Sequence, residues 1–396
     1  MDKLLKKYFG YDHFKEPQEK IIKEVLMGHD VIGLLPTGYG KSITFQIPAL
    51  LLEGITIVIT PLIALMEDQV GALKKKEILA EFLNSSQTEL EQAAIYQLIQ
   101  KNKLKLLYVS PERLLNHKFK EMIFKIQISL VVIDEAHTIL WAEDFRKAYA
   151  NIRDFIENIT PAPKKMALTA TAPPLTVKKI VHYLGFQNPK IIETAVDRTN
   201  LFYGVVVTTN KLTKLISYLK NKKNVKGIIY CLTRLETEKL SQILKSKGID
   251  NRIYHGGLDS ELKFQHYQEF KDGLCTLMIC TNAFGMGIDI PDIRYVINYE
   301  LPQSIEDLVQ QMGRASRDGA YGEGIVFFDF KDIKTIRYFI QKMEDKAVRK
   351  EQTKKLSLMI EYCLSSQCRH QLISRYFGQK IKKCNCICDN CKKWSR

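Results

Sequence analysis

A chain of 396 residues, 45% hydrophobic and 26% charged, is long enough for two or three domains and apolar enough to fill their cores. No apolar run reaches the roughly 18 residues a membrane span needs, and Met1-Asp2-Lys3-Leu4-Leu5-Lys6 has no signal-peptide core, so an intracellular protein without a membrane partner is expected. The net charge of +15 points to a polyanion: residues 331–396 hold 17 Lys and Arg against 6 Asp and Glu, which puts +11 in the last sixth of the chain. A solvated Lys-rich surface gives the same total, so charge alone does not decide.

In chain order, Val31-Ile32-Gly33-Leu34-Leu35 is the first buried-type strand. Apolar runs at 55–59, 106–109, 130–133 and 165–169 follow, with helical patterns between them. Continuous apolar runs alternating with helices predict a parallel sheet covered on both faces, whose strand ends bind ligands. The pattern restarts with a strand at 226–231, a helix over 235–247, and strands at 277–280, 295–298 and 324–328. A boundary is expected in the polar stretch 193–201, after the turn signal Asn188-Pro189. From about Asp332 the strands stop, and charged helical patterns lead into a cysteine cluster. The expected division is 1–196, 197–332 and 333–396.

The first strand runs into Pro36-Thr37-Gly38-Tyr39-Gly40-Lys41-Ser42, which opens a helix. Such a strand, loop and helix turn backbone N–H groups and a helix N-terminus toward an anion. Lys41 would reach the β- and γ-phosphates of a nucleotide, and the Ser42 hydroxyl would bind Mg²⁺. The general phosphate-loop pattern starts with Gly six residues before the Lys; Leu35 stands there, and the form is the one seen in helicases. Asp134 and Glu135 follow the strand at 130–133. Asp134 is the second expected Mg²⁺ position, and Glu135 would orient and deprotonate the attacking water.

Six of the nine cysteines lie between Cys363 and Cys391. In a reducing compartment a dense cluster argues for metal rather than disulfides. Cys384, Cys388 and Cys391 give three ligands on a short loop, with Cys368 as the fourth, a set suited to structural Zn²⁺. Cys386 competes with Cys384. Cys231, Cys275, Cys280 and Cys363 read as buried thiols.

These motifs resemble those of the RecQ helicases, of helicase superfamily 2, over residues 5–391. The resemblance implies an α/β fold of two tandem RecA-like domains with parallel sheets, then a small helical zinc-binding domain. Phe9-Gly10-Tyr11-Asp12-His13-Phe14-Lys15-Glu16-Pro17-Gln18 is similar to the family's adenine-binding element, which implies that Gln18 reads the adenine edge and Tyr11 stacks on it. Lys15 stands where Arg is usual. The ATP-binding residues are then Tyr11, Lys15, Gln18, Thr37, Gly38, Gly40, Lys41 and Ser42. Segments 59–69 and 108–113 resemble strand-binding motifs, with Pro61, Ser110 and Arg113 as contacts, and 168–172 resembles the motif that couples ATP site to nucleic acid. In the second domain Thr233 and Thr281 would sit on DNA phosphates.

The run 310–319 looks like the arginine-finger motif, with Ser316 where Gly is usual. It implies roles for Gln310, Arg314 and Arg317 in hydrolysis, on contact with the γ-phosphate when the two domains close. The two arginines share a face if their segment is helical. After Asp-Glu-Ala-His the family carries an aromatic-rich DNA-sensing loop; here it is one residue shorter, and keeps Trp141, Phe145 and Arg146. The family's zinc domain has the cysteine spacing found here, preceded by Cys368-Arg369 and Tyr376-Phe377-Gly378. Arg369, Lys382, Lys383, Lys392 and Lys393 would offer phosphate contacts. Few residues follow the zinc loop, so a short form without winged-helix and C-terminal helical domains is expected, with a complete motor and weaker strand separation.

The implied activity is an ATP-dependent DNA helicase using ATP, Mg²⁺ and structural Zn²⁺, acting 3′-to-5′ on single-stranded and on duplex or branched DNA as a monomer. Its place would be the cytoplasm or nucleoid of a bacterium, or a nucleus. Alternatives are a translocase with little unwinding, an RNA-directed enzyme, or a non-catalytic binding module; the intact Lys41, Asp134, Glu135, Arg314 and Arg317 argue against the last.

Overall fold

The computed structural model describes every residue except 37, 62, 85–86, 141–150, 286–289 and 393–396, and excludes the side chains of 63–65 and 139–140. The chain divides into two compact units, Met1–Thr194 and Ala195–Arg396.

Among its described residues the first unit holds seven strands: β1 (Val31–Leu34), β2 (Ile55–Ile59), β3 (Ala80–Leu83), β4 (Leu106–Val109), β5 (Ile128–Ile133), β6 (Lys164–Thr169) and β7 (Lys190–Glu193). Their order is β3-β4-β2-β5-β6-β1-β7, and every pairing is parallel. Parallel neighbours require crossovers, which the intervening helices supply. Successive residues point to opposite faces. Ile32, Ile57, Leu107 and Val131 join one apolar cluster; Val31, Val58, Leu106 and Val132 join another. Both faces are therefore buried, which is why these strands read as unbroken apolar runs. Each fully buried Val, Leu or Ile contributes about 1.5–3 kcal/mol.

Among its described residues the second unit has six strands: β8 (Leu201–Val207), β9 (Gly227–Tyr230), β10 (Arg252–Tyr254), β11 (Leu277–Cys280), β12 (Tyr295–Asn298) and β13 (Gly322–Phe328). The order is β10-β11-β9-β12-β13-β8, again all parallel. Helices Phe330–Gln341, Lys346–Leu364 and Arg369–Tyr376 follow. Their Leu356, Met359, Tyr362, Ile373 and Phe377 share a cluster with Ile228, Val296, Val326 and Phe328 of the sheet. The region after residue 332 thus completes one face of the second sheet. It also covers the outer edge of β8: Tyr203 N–H donates to Ile387 O (3.2 Å) and Val205 N–H to Asp389 Oδ2 (3.0 Å).

Sequence periodicity missed four strands. β10 is three half-buried residues, β7 is mostly exposed, β3 is half-buried at its centre, and β8 begins inside the polar stretch taken as a boundary. The expected thiols Cys231, Cys275, Cys280 and Cys363 are buried. Among the described residues no helix is long and apolar enough to cross a membrane.

Candidate functional site

β1 leads through the phosphate loop into helix Ile43–Leu51, with Ser42 at its N-cap. Gly38 and Gly40 take φ of +84° and +72°, the left-handed region that glycine enters without a Cβ penalty. Gln18, buried on helix Glu16–Leu26, grips this loop: its Nε2 donates to Tyr39 O (2.7 Å) and Gly40 O (3.2 Å), and its Oε1 accepts from Lys15 N–H (2.9 Å). A Cβ on Gly40 would lie 2.6 Å from Gln18 Nε2, so the contact needs glycine there. Lys15 Nζ donates to Gly38 O (3.2 Å) and lies 5.0 Å from the Tyr39 ring centre. Tyr11 is exposed. Lys15 and Gln18 of the adenine element are thus brought to the phosphate loop, whereas Thr37 lies outside the described residues.

β5 and β1 flank β6, so the loops after all three share one edge of the sheet. Lys41 Nζ donates to Glu135 Oε1 at 3.0 Å. Asp134 is buried; its N–H extends the ladder to Ile59 O (2.9 Å), and its Oδ1 accepts from Glu135 N–H (2.9 Å). Burial, then the Glu135 charge, pushes the Asp134 carboxyl up to about 6, against the pull of Lys41. Glu135 sits at φ +49°, a left-handed conformation that costs a non-glycine residue about 1–3 kcal/mol. His137 Nδ1 lies 3.3 Å from Glu135 Oε2 and 2.8 Å from Thr169 Oγ1. A polar chain therefore runs from the phosphate loop through Glu135 and His137 to the end of β6. Sequence reasoning named its two ends as separate motifs and missed the His137 link.

The other expected contacts sit at strand ends. Half-buried Pro61 follows β2, and buried Ser110 follows β4 as the N-cap of the short helix Pro111–Leu115. Arg113 donates to Asn84 O (2.8 Å) and Gln92 Oε1 (3.1 Å). Trp141, Phe145 and Arg146 lie outside the described residues. In the second unit Thr233 follows β9 and caps helix Arg234–Ser246, its Oγ1 accepting from Glu236 N–H (3.1 Å). Thr281 follows β11, and its Oγ1 accepts from Ala283 N–H (3.4 Å). Gln310 is half-buried on helix Ile305–Met312. That helix stops at Met312, so Arg314 and Arg317 are carried by a turn, and the condition for a shared helix face is not met. Ser316, between them, has φ +51°. Arg314 is buried beside Tyr230, and a Cβ on Gly285 would lie 3.0 Å from its Nη2.

The Sγ atoms of Cys368, Cys384, Cys388 and Cys391 all lie within 4.8 Å of one another, and Cys384 Sγ is 3.5 Å from Cys388 Sγ. A tetrahedral zinc with Zn–S bonds of about 2.3 Å spaces its sulfurs by about 3.8 Å, so the quartet fits a closed structural zinc site. Cys384, not Cys386, is the fourth member: Cys386 is exposed, at φ +59°, and turns its Sγ toward Cys391 O (3.6 Å). Arg369 corrects an expectation. It is fully buried, donating to Asp389 Oδ1 (2.9 Å) and Oδ2 (3.1 Å) and to Tyr362 O, so it is a structural cross-link and not a phosphate contact. Lys382, Lys383 and Lys392 are exposed, and Lys393 lies outside the described residues. Asp389 escapes sequence reasoning because its partner lies 20 positions away.

Three family models match in tandem: DEAD/DEAH box helicase over residues 15–180, helicase conserved C-terminal domain over 210–319, and RecQ zinc-binding over 330–392. The chain is 38% identical to the ATP-dependent DNA helicase RecQ of Bacillus subtilis, over 98% of this chain and 66% of that protein. A Pasteurella multocida protein of the same name is 37% identical over 97% of this chain and 60% of its own length. The chain thus spans 60–66% of the length of these curated relatives. A protein of Acanthamoeba polyphaga mimivirus, whose name calls it an RNA helicase, is 38% identical over 99% of this chain and 72% of its own length. Among solved structures, the DEAD-box helicase Mss116 bound to ssRNA aligns with a TM-score of 0.70 at 20% identity, over 96% of this chain and 89% of that one. The helicase MrfA bound to DNA aligns at 0.68 and 18%, over 83% and 50%. At these identities the structures establish the fold.

Proposed function

Because the chain belongs to the RecQ helicase family, we propose that it is an ATP-dependent DNA helicase that translocates 3′-to-5′ on single-stranded DNA and unwinds duplex or branched DNA in recombination and repair. The observation that carries this reading is the convergence of Lys41, Asp134 and Glu135 at one edge of the first sheet, with Lys41 3.0 Å from Glu135. Lys41 passes its ammonium to the β- and γ-phosphates of ATP, and the loop N–H groups face the same anion. That exchange releases Glu135 to orient water and take its proton. The buried Asp134 beside Glu135, with Lys41 as counter-charge, makes a site short of positive charge, which suits a divalent cation. Ser42 and Asp134 would hold Mg²⁺, which supplies positive charge to the phosphate oxygens. Arg314, Arg317 and Gln310 meet the charge of the phosphoryl-transfer transition state.

Tyr11, Lys15 and Gln18 serve adenine; Thr37, Gly38 and Gly40 serve the phosphates. Pro61, Ser110, Arg113, Trp141, Phe145, Arg146, Thr233 and Thr281 serve the DNA strand. The functional division is 1–196 for ATP binding, 197–332 for the second lobe and 333–396 for the zinc region. The protein works as a monomer, inside the cell where its DNA is. The test is ATP hydrolysis with and without single-stranded DNA. Wild type is expected to be DNA-stimulated, and Lys41→Ala to lose about 10²-fold or more in kcat. Unchanged hydrolysis by Lys41→Ala would remove the site assignment. Stimulation by RNA but not DNA would favour the RNA-directed reading that the mimivirus relative's name suggests.

A further inference from the structure

Between β7 and β8 the chain runs through residues 195–200 without a helix or strand of its own. Its first half is tied to the zinc region. Val196 N–H donates to Gln379 Oε1 (2.9 Å), and Asp197 Oδ1 meets His370 Nδ1 at 2.5 Å. The other ring nitrogen of His370 lies 3.1 Å from Ile387 O. The second half turns to the arginine motif. Arg198 Nη1 donates to Gly313 O (3.1 Å), and its Nη2 to Ala315 O (3.0 Å) and Ser316 O (2.7 Å). Asn200 Nδ2 donates to Ser316 O (3.0 Å) and Ala320 O (2.8 Å). Arg198 Nε also donates to Asn200 Oδ1 (3.3 Å), which orients the two side chains together.

The turn that receives these bonds has one backbone bond of its own at Ser316 O, from Gly319 N–H (3.2 Å). Helix Ile305–Met312 has ended, so the carbonyls that follow lack helical partners. Ser316 is held at φ +51°, which favours glycine over a residue with a Cβ. On the other side the turn is pinned by Ser316 N–H to Ile293 O (2.6 Å) and by the Arg294–Asp318 ion pair. A guanidinium presents a rigid fork of donors that spans neighbouring carbonyls at fixed spacing; an ammonium does not. Arg314 and Arg317 project from this same stretch of backbone.

We propose that Arg198 and Asn200 are positioning residues for the arginine turn. By holding the carbonyls of Gly313, Ala315, Ser316 and Ala320 they set the backbone from which Arg314 and Arg317 act, while Asp197 and Val196 anchor the same segment to the zinc region. The proposal rests on the reading that Arg314 and Arg317 serve ATP hydrolysis.

The test is steady-state ATP hydrolysis, with saturating single-stranded DNA, by wild type, Arg198→Ala, Arg198→Lys, Asn200→Ala, Arg317→Ala and the Arg198→Ala/Arg317→Ala double variant. Zinc content and thermal unfolding are followed in each. Misplacing a reacting group by about 1 Å costs on the order of 10²-fold, so Arg198→Ala is expected to lower kcat about 10- to 100-fold. KM for ATP should stay within about threefold, with zinc retained, because the lost interaction belongs to the transition state. Arg198→Lys should recover only part of the loss, and the double variant should be slower than Arg317→Ala by less than the full factor of the Arg198 change, because only the placement of Arg314 remains to be lost. Wild-type kcat in Arg198→Ala, or a double variant slower than Arg317→Ala by the full factor of the Arg198 change, overturns the proposal. If Arg198→Ala loses zinc or unfolds, Asn200→Ala, which removes two of the five carbonyl bonds, decides: a lowered kcat at constant KM supports the clamp, and an unchanged kcat overturns it. If Arg317→Ala hydrolyses ATP like wild type, the arginine assignment itself has failed, an outcome distinct from a neutral Arg198→Ala beside an inactive Arg317→Ala.

Discussion

In the first unit Lys41 of the phosphate loop is joined to Glu135 by a 3.0 Å hydrogen bond. Lys41 and Glu135 are each 13% exposed, and in the proposed function both take new partners when a phosphate arrives. In the second unit the charges around the cysteine loop are sealed. Arg369 and Asp389 are 1% and 5% exposed and joined by two hydrogen bonds, and Asp389 also takes Val205 N–H from the edge of the sheet. The same residue types thus serve two purposes. Pairs that must exchange partners stay near solvent, where exchange is cheap; pairs that only fix structure are buried, where losing one partner leaves an uncompensated charge.

That contrast can be broken at either end. Zinc removal should have the largest effect, since thiolate sites in small zinc-folded peptides are worth about 10–16 kcal/mol. Cys388→Ser, or a strong chelator, should release the metal and loosen the region that covers β8, read by metal analysis and limited proteolysis. A metal-free chain with unchanged protease resistance would show that the cysteine loop is not a structural staple. Arg369→Ala comes next. It strands a buried carboxylate and should cost about 3–5 kcal/mol by denaturant unfolding, with KM for ATP unchanged. Arg369→Lys should rescue it incompletely, because the two-pronged contact to Asp389 is lost.

Gln18→Ala inverts that pattern. It removes two bonds that hold the phosphate loop, worth about 0.5–1.5 kcal/mol each, so KM for ATP should rise about tenfold while the unfolding midpoint moves less than in Arg369→Ala. A large stability loss without a change in KM would make Gln18 a packing residue. The smallest effect is expected at Asp318, whose carboxyl the Arg294 hydrogen bonds hold below the usual range. A depressed folded pKa adds stability that is fully present above the unfolded value of about 3.9 and is lost as pH falls through the folded value. Arg294→Gln should cost less than about 1 kcal/mol at pH 7, since the pair is about one-third exposed, and should converge with wild type in acid. A difference that persists in strong acid would assign Arg294 a role other than this pairing.

Much of this was legible in the sequence because its signals are local. Strands buried on both faces read as unbroken apolar runs, and the phosphate loop carries its glycines, Lys41 and Ser42 within a few residues. Three of the four zinc ligands lie within eight positions. What was illegible depends on partners far apart in the chain. Arg369 reads as a basic residue beside a cysteine, and only the fold reveals Asp389 against it. Arg198 reads as part of a polar linker, yet its partners lie more than a hundred residues on. The helical condition for Arg314 and Arg317 is not met, because the helix ends at Met312, and the left-handed Ser316 that follows cannot be inferred from a serine. The edge strands β7 and β10 failed because neither face is fully buried.

In the proposed function, ATP handled at the phosphate loop drives movement along DNA. A strand-displacement assay on a duplex with a single-stranded 3′ tail, beside one with a 5′ tail, tests it most directly. Wild type should separate the 3′-tailed duplex only when ATP is present, leave the 5′-tailed one intact, and lose the activity in Lys41→Ala. Equal displacement by Lys41→Ala, or no displacement by a wild-type protein that hydrolyses ATP on DNA, would contradict it.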